Sequence, residues 1–170
     1  ASANAAVTYV SWYDALRYCN WLGESYAISN QDLSAERIVD AEYFLPTENE
    51  WYKAAYYDPK GKKYKLYPLR DAHKIENSDR LESKSTYGMM ETSDHIWEWT
   101  ESEVGKAFRG IRSDSWFQGN NRQSAGRYYS NPEMELGHLG FRVARSILAE
   151  KTKDDSKKSA KPKRAKKFGR

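Results

Sequence analysis

The stretch "SDHIWEWTESE", Ser93–Glu103, sets two tryptophans on either side of one glutamate, with a histidine just upstream. Trp97 and Trp99 carry too much apolar area for a solvated loop, and Glu98 is too polar for an ordinary core strand. Three uses are open for such a cluster: chemistry, ligand binding or packing. The order of the pieces around it decides among folds.

Upstream, "VTYVSWYDALRYCNWLGE" (residues 7–24) opens with an alternating, strand-like run from Val7 to Val10. Ser11 then offers an N-cap, with Asp14 at the capping-box spacing. Trp12, Ala15, Leu16, Cys19 and Leu22 recur at three- and four-residue steps, which predicts one face of an amphipathic helix ending near Gly23. A polar stretch follows. "YFLPTENEWYKAAYYDP" (residues 43–59) reads as a short strand, Tyr43 to Leu45, broken by Pro46. Thr47 and Glu50 repeat the capping box, and Trp51, Ala54 and Ala55 make the buried face of a second helix that must stop before Pro59. Residues 58–86 hold no period and read as a long surface excursion. From Tyr87 onward, short apolar pieces between Gly, Asn, Ser and Asp suggest short strands and ordered loops, with "GFRVARSIL" (Gly140–Leu148) as a closing strand.

The 170 residues have room for one domain, and 14% of them are aromatic, including 13 tyrosines and 6 tryptophans. Aromatic rings supply a core despite the polar average. No apolar run approaches the ~20 residues that cross a bilayer. The opening "ASANAA" has the composition of a remnant near a signal cleavage site, and equally of a domain boundary. Cys19 is the single cysteine, which excludes an internal disulfide and any site needing two thiolates from these residues; on its apolar face it reads as a small buried thiol. The net charge of +4 conceals two objects. Residues 151–170 hold 10 Lys/Arg against 2 Asp/Glu, which leaves 18 basic and 22 acidic residues in 1–150. The body is mildly acidic and the tail, expected to be disordered alone, is strongly basic.

The blocks "VSWYDALRYCNWL", "FLPTENEWYKAAYY", "YGMMETSDHIWEWT", "IRSDSW" and "GFRVAR" resemble, in this order, the formylglycine-generating enzyme or sulfatase-modifying factor family. Its members show V-S-W-x-D-A, L-P-T-E-x-E-W, G-N-x-W-E-W, R-G-G-S-W and G-F-R. The resemblance covers roughly residues 7–146 and implies an α+β, C-type-lectin-like domain over 1–150, with two helices packed on a small twisted antiparallel sheet amid much loop. It also implies that 1–150 lacks an N-terminal segment usual in the family. In such domains W-E-W is a structural hub, and a buried Glu98 persists only if paired, with Arg142 or Arg112 as partner.

The family's oxidases use two cysteines just after the G-G-S-W block, which bind copper as thiolates, ligands that suit Cu(I). Laid over that block, "SDSWFQGNNRQSAGR" puts Gln118 and Gln123 near the thiol positions, so copper oxidase activity is not expected. Iron-dependent relatives take a histidine set from an added helical domain; His73, His95 and His138 lack close ligand spacing. Asp94-His95 stands where the family has Gly-Asn, and Ser113-Asp114 where it has Gly-Gly, so the loops are expected to differ, and loss of that Asn puts the family's calcium site in doubt.

The leading reading is therefore a non-catalytic binding or scaffold module. Its ligand surface is placed in residues 117–139, where Asn120, Asn121, Arg122, Arg127, Tyr128 and Tyr129 combine amide forks, guanidinium groups and rigid rings. The tail, through Lys157, Lys158, Lys161, Lys163, Arg164, Lys166 and Lys167, suits nucleic acid or another polyanion. The alternative is an enzyme with a non-thiol site around His95, Glu98 and Arg127.

Overall fold

A computed structural model describes residues 6–29, 34–65, 85–89, 96–113 and 127–147. Helix α1 (Trp12–Leu22) starts with a reciprocal capping box. The Asp14 N–H donates to Ser11 Oγ at 3.1 Å, and the Ser11 N–H donates to the Asp14 carboxylate at 3.0 Å. Pro132 from the far end of the domain accepts the Trp12 N–H at 2.9 Å. Trp12, Ala15, Leu16 and Cys19 form the buried stripe, and Leu22 is half-buried. Gly23 caps the helix in an extended conformation, φ 175°, and so is not there for a left-handed turn.

The run Val7–Val10 is not a strand. Tyr9 takes φ +57°, its N–H donates to Leu136 O at 3.0 Å, and Val10 O accepts from Trp99 Nε1. Its backbone groups are thus used one at a time rather than in a ladder. The stretch read only as polar contains a hairpin, β1 (Tyr26–Ile28) against β2 (Ala35–Arg37). After β3 (Tyr43–Phe44), helix α2 (Glu48–Tyr56) begins at Thr47 with the second capping box, and Ser102 Oγ accepts the Glu48 N–H at 2.9 Å. Trp51, Ala55 and Tyr56 are buried and Ala54 is half-buried. The helix yields directly to β4 (Tyr57–Asp58), which pairs with β5 (Lys63–Tyr64) at the start of the predicted excursion.

The central sheet comprises β6 (Trp97–Val104), β7 (Phe108–Arg112), β8 (Tyr128–Ser130) and β9 (Leu139–Phe141), in the order β8-β7-β6-β9. It departs from a purely antiparallel sheet: β9 lies parallel to β6, with Gly140 opposite Glu98. "GFRVARSIL" does not run on as one strand; Arg142 and Val143 belong to no strand, and β10 (Ala144–Arg145) pairs with β3 in a separate ladder.

Successive residues of β6 face opposite sides of this sheet. Trp99 joins Trp12, Leu16, Cys19, Tyr26, Leu45 and Leu139 on the α1 side, while Glu98 meets Trp51 on the α2 side. The close approach of the N-terminal run demands a glycine at 140, since a Cβ there would stand 2.3 Å from Val7 O. Among the described residues, no helix is long and apolar enough to cross a membrane.

Candidate functional site

Trp97, Glu98 and Trp99 are built into the frame. Trp99 is fully buried and donates through Nε1 to Val10 O at 3.0 Å. Trp12 reaches the same strand from the other side of the core, donating to Thr100 O at 3.0 Å. Glu98, 5% exposed, accepts from Trp51 Nε1 at 2.6 Å and from both Nε and Nη2 of Arg142. Both of its oxygens are thus engaged in holding α2, β6 and the segment after β9 together, a structural use of a buried carboxylate.

Of the two arginines available to Glu98, Arg142 is the partner. Arg112 lies opposite Glu98 in the β6–β7 ladder, yet its Nε sits 3.2 Å from Glu48 Oε1 on α2. Burial holds the Arg112 guanidinium below its ordinary pKa, with the Glu48 charge opposing that shift. Glu48 also receives two hydrogen bonds from Arg127, Nε at 2.8 Å and Nη2 at 2.5 Å, which raise the Arg127 pKa. A third carboxylate, Glu101, accepts from Tyr26 Oη at 2.8 Å and from Arg37 Nε at 2.6 Å. Sequence reasoning missed Glu48 and Glu101. The spacing of Glu48 three residues before Trp51, on one helical face, was the available signal for the first.

The sequence-predicted residues are thereby sorted. Glu98 and Arg127 belong to separate ion pairs, and His95 lies outside the described residues. Within the loop surface, Arg127 is well exposed but spans Glu48, and Tyr128 is half-buried with its ring edge-on to Trp97 at 4.6 Å. Tyr129, 59% exposed, lies 5.2 Å from the Phe108 ring. Asn120, Asn121, Arg122, Gln118, Gln123 and the seven tail cations lie outside the described residues. Cys19 is buried in the core beneath α1, and burial, followed by the Glu101 charge, pushes its thiol up to about 11. One such thiol does not fit a copper centre built on paired thiolates. Among the described residues, no group of three or more His, Cys, Asp or Glu is disposed to hold a metal ion; positions 94 and 95, where calcium was in doubt, lie outside them.

The aromatic and carboxylate hub, the two capped helices and the mixed four-stranded sheet together make an α+β domain. Residues 1–147 match the model of the sulfatase-modifying factor enzyme 1-like domain, and the chain belongs to that family. The inactive C-alpha-formylglycine-generating enzyme 2 of Bos taurus is 29% identical over 167 residues, covering 81% of this chain and 49% of the relative. The protein of the same description from Mus musculus is 29% identical over 169 residues, covering 82% and 49%. The chain spans about half the length of these curated relatives. Among solved structures, the crystal structure of CarF superposes with a TM-score of 0.65 at 20% identity, covering 82% of this chain and 67% of that one. PvdO from Pseudomonas aeruginosa gives 0.56 at 16% identity, covering 83% and 62%. Likeness at this identity speaks for the fold alone.

Proposed function

We propose that this domain is a non-catalytic binding or scaffold module of the sulfatase-modifying factor family. The observation that carries this reading is the placement of sulfur. The one cysteine is buried on α1 with its thiol held neutral, whereas the family's oxidation centre needs two thiolates beside the S-W block. The word "inactive" in the names of both mammalian relatives supports it. A partner docks on residues 117–139, with Asn120, Asn121, Arg122, Arg127, Tyr128 and Tyr129 as the contact set, and the basic tail engages a polyanion.

The test of catalytic silence is copper titration of the reduced protein together with oxygen consumption on a cysteine-containing peptide. Neither one-equivalent copper retention nor turnover is expected, and finding both overturns the reading. The tail is tested in the full chain by replacing its seven named cations with glutamine. Polyanion affinity should weaken and its salt dependence flatten; unchanged affinity removes the tail from the proposal.

A further inference from the structure

One short run within 1–150 carries a local excess of positive charge. Residues 53–65, "KAAYYDPKGKKYK", hold five lysines and one aspartate, a local balance of +4. The rest of 1–150 then holds 13 basic and 21 acidic residues, a balance of −8. This island is the end of α2 and the β4–β5 hairpin, where Tyr57 pairs with Tyr64 and Asp58 with Lys63. Lys60, Lys62 and Lys63 are all exposed around its turn. Lys62 holds φ +50°, a conformation that lysine does not favour, so its presence there is not explained by the turn.

Aromatic rings are interleaved with these charges. Tyr57 and Tyr64, on the same face of the hairpin, have ring centroids 5.1 Å apart. Tyr52 from α2 stacks behind Tyr64 at 4.8 Å and 23°. Tyr64 remains 47% exposed even with that ring against it. Lys53 Nζ lies over Tyr57, 5.9 Å from its centroid. This tyrosine column, half exposed at Tyr64 and rimmed by lysines, offers aromatic surface to a base and cations to the flanking phosphates.

We infer that the β4–β5 hairpin is a binding surface for single-stranded nucleic acid. Tyr64 takes the base, and Lys60, Lys62 and Lys63 take the backbone phosphates. Charge complementarity selects a polyanion, and the column selects one with planar bases over a sulfated polysaccharide or an anionic membrane. None of the residues assigned to this surface belongs to 117–139 or to the tail.

The test uses the full chain and a labelled oligothymidylate, with anisotropy followed across a salt series. The Lys60→Gln/Lys62→Gln/Lys63→Gln variant should flatten the slope of log K against log salt by about 2, at roughly 0.7 for each phosphate no longer neutralised. Tyr64→Ala should weaken binding about tenfold or more, Tyr64→Trp should retain it, and an abasic oligomer should not distinguish Tyr64→Ala from wild type. A slope unchanged in the triple variant overturns the inference, because the tail alone would then carry the affinity. Loss of heparin and oligonucleotide binding to the same extent in the triple variant, with Tyr64→Ala and Tyr64→Trp both silent, overturns the assignment to nucleic acid. Circular dichroism of each variant separates these outcomes from loss of fold.

Discussion

Glu98 and Arg142 stand 44 residues apart in the chain and meet in a two-pronged pair, with the Trp51 indole donating to the same carboxylate. Removing one partner strands the other charge. Arg142→Met should destabilise the domain by about 3 kcal/mol in urea unfolding. Adding Glu98→Gln should recover part of that loss, because Gln keeps an acceptor for Trp51 and leaves no buried charge. A double variant less stable than Arg142→Met contradicts this role.

The Glu48 cluster predicts an asymmetry. Arg112 is buried and Arg127 is largely exposed, although both contact Glu48. Glu48→Gln should cost about 3 kcal/mol by removing the carboxylate beside the buried Arg112 guanidinium. Arg127→Ala should cost less than about 1 kcal/mol. The same unfolding assay ranks them, and the reverse order refutes the assignment.

Gly140 and Gly23 make a matched pair. A methyl at 140 would collide with the Val7 backbone, whereas at Gly23 the nearest atom is Tyr43 Cδ2 at 3.5 Å. Gly140→Ala should destabilise by about 2–3 kcal/mol, and Gly23→Ala by less than about 0.5 kcal/mol, read as melting temperatures.

Cys19 gives a pH prediction. Its pKa rises from 9.0 to about 11 on folding, so the native state holds the proton more tightly than the unfolded state. The associated stability is fully present below pH 9 and is lost as pH rises toward 11. Unfolding midpoints should fall over that interval in wild type and fall less in Cys19→Ala. A maleimide should label the native thiol slowly at pH 8 and rapidly after denaturation.

The two helices were legible because capping boxes and apolar periodicity are local signals that the structure keeps. The hairpins β1–β2 and β4–β5 were not, since strands of two or three residues carry no period of their own. A strand from Gly140 onward was legible, but not its division into β9 and β10 or what each pairs with. Parallel pairing with β6 is a long-range choice, and the same choice brings Arg142 rather than Arg112 to Glu98. Glu48 and Glu101 escaped notice because acidic residues near a helix start or in a strand look like ordinary solvated surface until burial is known.

The indoles of Trp12 and Trp99 each bridge nearly ninety residues, and the first backbone N–H of α1 waits for a carbonyl at position 132. A chain leaving the ribosome has no local substitute for any of these acceptors. Helix α1 emerges before its distant partners and stays unanchored until they arrive, so closure waits for Trp99, Thr100 and Pro132 and should be slow. Premature termination before β9 should therefore leave protease-sensitive chains rather than a smaller stable core.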